Sequence, residues 1–494
     1  MCWCDRPCAR DGRALRVSVV TNARWVGAIQ CARVAVQFAS LAILSRLLTP
    51  QDFGLVALSM VVTNFAMLIR DLGTAAAIIQ RPNLDARTID TAFWSNCLVG
   101  LLLGLGIYLA APRLASAFAA EALEPLLRVA ALAFPVLGST IVHQALLERS
   151  SRFALVARIE ITAVLAGFTV AIVSAWLGAG AFALILQMLT VAAASALQFW
   201  LTADWRPRLR WALAEIRGLW RFSGRLFGFN LLNYFARNAD AMIVGRMLGA
   251  ASLGPYSLAY RIMLFPLHNL TFVAQRALFP VMSRRQEELP RVADMYLRTL
   301  SVIAFFTAPL MAGLFVLREP FVRVVLGEQW LLVAQIIAWL APVGFLQSIV
   351  STAGSVFMAL GRTDVLFRLG VVGTALQVTA FTLGVRWGVQ GVAACYLAAN
   401  LVMAIPSLLL AMRLLREPWW RLLLAIHRPV ALALAMAGAV ELARHVCVDL
   451  SMPQVLQLGV LSAAGGLLYL TLSHFGAAAL QRDVLRLFLK RASP

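Results

Sequence analysis

Apolar runs of about twenty residues follow one another along almost the whole chain, and they limit the fold more than any other feature. Because the hydrocarbon core of a bilayer is about 30 Å thick, an α-helix needs roughly 20 apolar residues to cross it. Backbone polar groups in lipid must be satisfied within the membrane, which favours helices over isolated strands. Fourteen runs are recognised, at about residues 25–47, 53–73, 92–111, 126–147, 157–177, 180–202, 227–247, 256–280, 299–317, 331–354, 367–385, 389–412, 428–446 and 454–474. The sequence therefore predicts an all-α, polytopic membrane protein with about 14 transmembrane helices.

The composition favours a transporter over an enzyme. Hydrophobic residues make up 61% of the chain and charged residues 13%, whereas soluble domains average about 45–50% and about 25%. The longest segments on the outer side have roughly a dozen residues, too few for a folded catalytic domain. The sequence has no phosphate-binding glycine-rich loop, zinc-protease motif or serine-hydrolase motif. We therefore expect no enzymatic activity and no catalytic residues, with transport driven by an ion gradient or by the gradient of the substrate.

The distribution of charge predicts the orientation of the chain. Its formal net charge is +20, but the cations are not gathered on one soluble face, as nucleic-acid binding would require. With alternate segments assigned to opposite sides, 32 Arg and Lys residues share the side of both termini, and 8 lie on the other side. Cytoplasmic loops are enriched in Arg and Lys. The asymmetry supports fourteen spans with both termini in the cytoplasm, facing anionic membrane lipid rather than nucleic acid.

The cysteines do not indicate a metal site. Cys2, Cys4 and Cys8 cluster near the start of the chain with no His nearby. A zinc site normally requires a second pair of ligands at a defined spacing. We therefore expect no metal and no cofactor.

The chain resembles itself at an offset of 200 residues. Residues 43–48 match 243–248, and Gly54 matches Gly254. A weaker match at an offset near 210 places Arg152 opposite Arg362. An even number of spans in each half gives both halves the same orientation, so the repeat predicts two parallel six-helix lobes around a central cavity, with two extra C-terminal helices.

The repeat and the charge pattern together divide the chain into segments. These are a cytoplasmic N-terminal tail (1–24), an N-lobe of helices 1–6 (25–204), a basic amphipathic linker (205–226), a C-lobe of helices 7–12 (227–412), helices 13 and 14 (413–480) and a cytoplasmic tail (481–494). Apolar residues interleaved with Arg in the linker favour a helix lying on the inner leaflet, and the alternative is a plain connection.

Two polar stripes lie inside the apolar runs. They occupy the first and seventh runs with the helical spacing i, i+3, i+7, i+10, and coincide at the repeat offset: Gln30, Arg33, Gln37 and Ser40; Asn230, Asn233, Arg237 and Asp240. This spacing places each stripe on one helix face. A charge at bilayer depth costs from about 3 kcal/mol upward unless it faces protein or water. The stripes therefore predict polar faces that line the cavity.

The roles of individual residues in these stripes leave alternatives open. Arg237 and Asp240 are three residues apart and could pair with each other. Arg33 has no acid within one turn, which favours a cavity role. Arg261, in the eighth run, could face the cavity or extend towards the outer surface. The planar guanidinium of Arg suits phosphate, and amide side chains suit sugar hydroxyls.

Several motifs resemble those of a known family. They are ILSRLLTPQDFGLVA at 43–57, DLG at 71–73, IIQR at 78–81, DAMIVGR at 240–246, GPYSLAYR at 254–261 and FP at 279–280. These segments resemble the polysaccharide biosynthesis exporters, which are lipid-linked oligosaccharide flippases, and most of all the colanic-acid and exopolysaccharide branch of the multidrug/oligosaccharidyl-lipid/polysaccharide superfamily. The likeness extends over nearly the whole chain after Thr21.

The resemblance implies a substrate and a location. The substrate would be an oligosaccharide on undecaprenyl pyrophosphate, moved from the inner to the outer leaflet of a bacterial inner membrane. Arg33, Arg237 and Arg261 would engage the pyrophosphate, with Gln30, Gln37, Asn230, Asn233 and Asp240 in the same cavity. Membrane lipid, polysaccharide polymerase and export machinery would be partners. The alternatives are a multidrug exporter or lipid II flippase of the same superfamily and, least favoured, a membrane polysaccharide polymerase.

Overall fold

A computed structural model describes residues 38–70, 74–80, 84–210, 237–449 and 452–476, together with residues 36, 234, 235 and 481. Every regular element in these residues is a helix. The chain divides into two compact units, Met1–Phe235 and Ala236–Pro494. The predicted N-terminal tail, with its three cysteines, and nearly all of the C-terminal tail lie outside the described residues, as does most of the linker. The division falls inside the predicted seventh run, a few residues after the predicted start of the C-lobe.

The first unit is a bundle of helices of unequal length. They are α1 (Phe38–Leu47), α2 (Pro50–Arg70), α3 (Thr74–Gln80), α4 (Ala86–Ala117), α5 (Leu123–Ala131), α6 (Ala133–Gly138), α7 (Ile141–Arg149), α8 (Phe153–Trp176) and α9 (Phe182–Thr202). Local sequence explains where α2 begins. The backbone N–H of Asp52 donates to the Thr49 hydroxyl, and the N–H of Thr49 donates to the Asp52 carboxylate. Pro50 occupies the first helical position, where its missing N–H is not needed.

The second unit has the larger number of long helices. They are α10 (237–248), α11 (Ala250–Pro266), α12 (Phe272–Ser283), α13 (Leu289–Val316), α14 (Arg318–Val325), α15 (Leu331–Val350), α16 (Ala353–Ala359), α17 (Thr363–Gly384), α18 (Gly388–Leu414), α19 (Trp420–Asp449) and α20 (Gln454–Gly476). A π-helical turn, Leu267–Thr271, joins α11 to α12. The turn between α15 and α16 lies beside α12, because the Gln275 amide donates to the Ser351 hydroxyl at 3.1 Å.

The helices confirm a multi-spanning membrane protein. Among the described residues, nine helical segments are long and apolar enough to cross a bilayer, and a bent pair built from α5, α6 and α7 could provide a tenth. One of the nine segments, Thr363–Leu414, contains both α17 and α18. The predicted count of fourteen stays a prediction, because parts of the first and seventh runs lie outside the described residues.

Corresponding turns of the two halves share an unusual backbone conformation. Ser151 before α8 has φ 57°, and Gly361 before α17 has φ 69°. Further along, Gly178 has φ 82° and Gly388 has φ 70°. Both pairs are separated by the 210 residues of the weaker sequence repeat. Three of these four residues are glycine, which adopts left-handed backbone readily, and Ser151 is the exception. The matched turns therefore share a backbone conformation at the repeat offset.

Small residues bring helices of the first unit into close contact. Gly100 and Gly104 have the four-residue spacing that is typical of close helix packing. A Cβ atom at Gly100 on α4 would lie 2.6 Å from the carbonyl oxygen of Phe134 on α6. One at Gly104 would lie 2.9 Å from the carbonyl oxygen of Ala131. The backbones can approach this closely because glycine carries no side chain.

The two C-terminal helices belong to the packed core of the second unit. The Ser301 hydroxyl on α13 donates to the carbonyl oxygen of Ala425 on α19 at 2.8 Å. The buried Tyr469 hydroxyl on α20 donates to the carbonyl oxygen of Phe305 on α13 at 2.9 Å. Helix α13 therefore contacts both α19 and α20.

The start of the predicted linker is not helical. Residues 203–210 run as an irregular strap over the first unit, and the predicted amphipathic helix is absent from 205–210. Pro207 explains part of this, because proline restricts the preceding residue and donates no backbone hydrogen bond. The Trp205 ring packs edge-on against Phe93 and His143, with centroids 5.8 and 5.4 Å away. Tertiary contact therefore decides the conformation of this segment.

Candidate functional site

The described part of the predicted site is centred on α10 and α11. Arg237 and Asp240 lie one turn apart on α10, and Arg261 lies on α11. The other predicted cavity residues lie outside the described residues: Gln30, Arg33, Gln37, Asn230 and Asn233. The structure therefore describes the second stripe from Arg237 onward.

Asp240 is held by partners other than Arg237. Its Oδ2 atom accepts a hydrogen bond from the Tyr256 hydroxyl at 3.1 Å. Its Oδ1 atom accepts one from the backbone N–H of Ala241 at 2.7 Å. Both Arg237 and Asp240 are described, and no ion pair joins them there. Arg237 and Asp240 therefore do not form the ion pair that their spacing permits. Instead, the Asp240 carboxylate accepts a hydrogen bond from Tyr256 on the next helix.

The two described members of the stripe, Asp240 and Arg237, differ in exposure. Asp240 is only 5% exposed and Tyr256 1% exposed, whereas Arg237 is exposed. The carboxylate thus faces the interior of the unit, and the guanidinium three residues earlier lies at its surface.

Contacts among polar side chains continue from this position across the second unit, first through a ring stack and then through hydrogen bonds. The ring of Tyr256 stacks on that of Tyr260 with centroids 6.0 Å apart, and the Tyr260 hydroxyl lies 3.4 Å from the Tyr396 hydroxyl on α18. The Gln347 amide on α15 donates to the Tyr396 hydroxyl at 2.6 Å and to Asn400 Oδ1 at 3.2 Å. Four helices therefore meet around one buried polar network, and such networks hold their members in fixed positions when their hydrogen bonds are satisfied.

Arg261 is exposed on α11, five residues after Tyr256. It is thus attached to the same helix that supplies the partner of Asp240. Arg237 and Arg261 are the two predicted phosphate-binding cations that the structure describes. Both side chains are accessible rather than enclosed in the core.

Sequence reasoning missed the tyrosines of the network. Tyr256 and Tyr260 are four residues apart in the eighth run, and Tyr396 and Asn400 are four apart in the twelfth. This i, i+4 spacing of polar groups inside apolar runs was the available signal, because such residues share one helix face. Their mutual contacts depend on how α11, α15 and α18 pack, for which the sequence offers no comparable pattern.

The described site offers hydrogen-bond donors and two cations. Guanidinium groups can bind a phosphate through two parallel charge-assisted bonds. In the described part of the chain, no group of three or more His, Cys, Asp or Glu side chains is placed to hold a metal ion. Anion recognition by Arg237 and Arg261 stays a prediction at α10 and α11.

The family of the chain follows from its sequence. A family model described as "Polysaccharide biosynthesis protein" matches residues 43–335, more than half of the chain. The chain belongs to this polysaccharide biosynthesis protein family. The match confirms the resemblance inferred from the motifs, and it includes both the α10 stripe and the Tyr256 motif.

Several known proteins are similar to this chain over most of their length. The lipopolysaccharide biosynthesis protein WzxC of Escherichia coli (strain K12) is 29% identical over 80% of this chain and 81% of its own. The succinoglycan biosynthesis transport protein ExoT of Rhizobium meliloti (strain 1021) is 26% identical over 97% of each. The teichuronic acid biosynthesis protein TuaB of Bacillus subtilis (strain 168) is 26% identical over 71% and 73%.

Solved structures share the fold of this family member. The lipid II flippase MurJ, in an inward closed conformation, aligns with a TM-score of 0.73 at 15% identity, over 94% of this chain and 100% of that chain. An inward-facing multidrug resistance transporter of the MATE family, from the MOP superfamily, aligns with a TM-score of 0.60 at 18% identity, over 77% and 94%. At these identities the likeness establishes the fold, which agrees with the predicted all-α membrane architecture.

Proposed function

We propose that this protein is a flippase for an oligosaccharide linked to undecaprenyl pyrophosphate, which it moves from the cytoplasmic to the periplasmic leaflet by alternating access. Its relatives are named for the biosynthesis of lipopolysaccharide, teichuronic acid and succinoglycan, and one of them is named a transport protein. Membership of their family supports a polysaccharide precursor as the substrate. The MurJ-like fold supports movement of a lipid-linked molecule through a helical membrane protein.

The observation that carries the proposal is the exposure of the Arg237 side chain. This cation lies in an apolar run yet is exposed, and the acid one turn away bonds to Tyr256 instead. Because a charge at bilayer depth is costly, its presence there favours a function. A pyrophosphate is a fitting ligand, since the planar guanidinium binds phosphate oxygens in pairs.

The remaining predicted residues complete the proposal. Arg33 and Arg261 would contribute further positive charge to the pyrophosphate. The amides of the two stripes would line the path of the sugars: Gln30, Gln37, Asn230 and Asn233. Asp240 would support the site from the interior of the unit, where its carboxylate accepts a hydrogen bond from Tyr256.

The membrane setting follows from the charge asymmetry and from the relatives. The protein would reside in a bacterial inner membrane with both termini in the cytoplasm, as the 32 to 8 distribution of Arg and Lys favours. Its direct partners would be the lipid-linked oligosaccharide and membrane lipid. A polysaccharide polymerase and export machinery would use the translocated product.

The test is a deletion strain complemented with the wild-type gene, Arg237→Ala or Arg246→Ala. Arg246 is the matched control, because it is an exposed arginine near the opposite end of α10. We expect the deletion to abolish surface polysaccharide and to accumulate its lipid-linked precursor. Arg237→Ala should lower export about tenfold at equal protein level, the loss expected when a charge-assisted contact of about 1.4 kcal/mol is removed.

Other outcomes would favour the alternatives. Unchanged polysaccharide with increased drug sensitivity would identify a multidrug exporter. Lethality with loss of peptidoglycan synthesis would identify a lipid II flippase. Full export by well-folded Arg237→Ala protein would remove Arg237 from the site while leaving the flippase assignment in place.

A further inference from the structure

We propose that Tyr256 is a positioning residue that keeps the Arg237 guanidinium available to the anionic group of the substrate by holding the carboxylate of Asp240 away from it. This inference rests on the proposed function, since it concerns the same anion-binding face. It assigns a specific task to a buried tyrosine that makes no contact with the substrate itself.

On α10, the Asp240 carboxylate lies where it could form an ion pair with Arg237. Residues three apart on a helix lie on the same face, close enough for an acid and an arginine to form an ion pair. An Asp240 carboxylate without another partner would therefore compete with any anionic ligand for Arg237. The structure places both carboxylate oxygens elsewhere, Oδ2 on the Tyr256 hydroxyl and Oδ1 on the N–H of Ala241.

Tyr256 is well held for this task. Its side chain is 1% exposed, and its ring stacks on Tyr260 at an interplanar angle of 22°. The Tyr260 hydroxyl meets the Tyr396 hydroxyl, which in turn accepts a hydrogen bond from Gln347. A donor whose rotamer is fixed by packing and by a second layer of hydrogen bonds holds its acceptor more firmly than a mobile one does.

The sequence repeat supports a link between Asp240 and Tyr256. At the repeat offset of 200, Asp240 corresponds to Ser40 and Tyr256 corresponds to Val56. The first half therefore lacks both the acid and the tyrosine, and the second half has both.

The experiment is a double-mutant cycle measured by binding. The probe is undecaprenyl pyrophosphate in detergent micelles, titrated against purified wild-type protein, Tyr256→Phe, Asp240→Asn, the double variant and Arg237→Ala. Phenylalanine retains the ring and removes only the hydroxyl. Thermal melting of each variant establishes that it is folded.

The proposal predicts a conditional effect. With Asp240 present, loss of the Tyr256 hydroxyl should weaken binding about tenfold, because the released carboxylate then occupies Arg237. In the Asp240→Asn background, the same loss should change binding less than about twofold, since no competing charge is released. A hydroxyl with a merely structural role would weaken binding equally in both backgrounds.

The outcomes separate this inference from the proposed function. Equal weakening by Tyr256→Phe in both backgrounds, or no weakening in either, would overturn the positioning role. Arg237→Ala protein that binds the probe like wild type would overturn the assignment of Arg237 to the substrate, and the positioning role with it. Weak binding by Arg237→Ala together with unaffected binding by Tyr256→Phe would leave the proposed site intact and overturn the role of Tyr256 alone.

Discussion

The indole N–H of Trp94 on α4 donates a hydrogen bond of 2.9 Å to the backbone carbonyl oxygen of Arg208, 114 residues later in the chain. One turn earlier on α4, Asp90 Oδ1 accepts a hydrogen bond of 3.1 Å from the backbone N–H of the same residue. Both backbone groups of Arg208 are thus bound by one helix. This double contact, with the packing of Trp205, fastens the start of the linker to the first unit.

Trp205→Ala should destabilise the protein through loss of this packing. Trp205 is half-buried against Phe93 and His143, so we expect a loss of about 2 kcal/mol, less than for a fully buried aromatic residue. The measurement is the melting temperature of the purified protein in detergent. The matched control is Leu209→Ala on the same strap, where the side chain is 89% exposed. Equal melting temperatures for the two variants would contradict the packing role.

Gly100→Ile should prevent correct packing of α4 on α6. A Cβ atom at Gly100 would lie 2.6 Å from a backbone oxygen, and backbone cannot move aside as a flexible side chain can. We expect a cost of about 3 kcal/mol and a sharp fall in monodisperse protein on size-exclusion chromatography. Gly106→Ile on the same helix is the control, since nothing lies within 4 Å of a Cβ atom there. A similar yield for both variants would refute the close contact.

Substitutions at the two matched turns should change the stability of the protein in opposite directions. Ser151→Gly relieves a left-handed residue and should raise stability by about 1 kcal/mol, and Gly361→Ser should lower it by a similar amount. A Cβ atom at Gly361 would meet nothing within 4 Å, so the effect there comes from the backbone alone. Melting temperatures test both variants. A shift of the same sign in both would show that the two turns are not equivalent.

Gln347→Leu should weaken the second unit. Its amide donates to both Tyr396 and Asn400, and leaving buried acceptors without donors costs about 2 kcal/mol in total. The control is Gln390→Leu, which removes an exposed amide pair with Gln335 and should change stability by less than about 0.5 kcal/mol. Thermal unfolding followed by intrinsic fluorescence compares the two. Equal shifts would mean that the network contributes nothing beyond a surface contact.

The linker shows where local patterns were insufficient. Interleaved Arg and apolar residues after Trp205 favoured an amphipathic helix, yet residues 205–210 lie as a strap without helical turns. The hydrogen bonds that hold the strap come from Asp90 and Trp94, more than a hundred residues away. Such long-range bonds replace those that a helix would have provided, and no local window of sequence contains both partners.

By itself, the sequence determined the helical membrane fold and the recurrence of short motifs between the two halves. Each depends on a local property: the length of an apolar run, or the identity of a few neighbouring residues. The helical period also placed Arg237 and Asp240 one turn apart on one helix, but it did not predict that one is exposed and the other buried.

Only the tertiary structure decided which group the Asp240 carboxylate binds. Its partner is Tyr256, which lies on the next helix and is supported through Tyr396 on α18. Spacing identifies neighbours within a helix, but partners on different helices depend on how those helices rotate and pack against one another. For that reason the sequence placed an acid beside Arg237, and the structure showed that a tyrosine holds this acid.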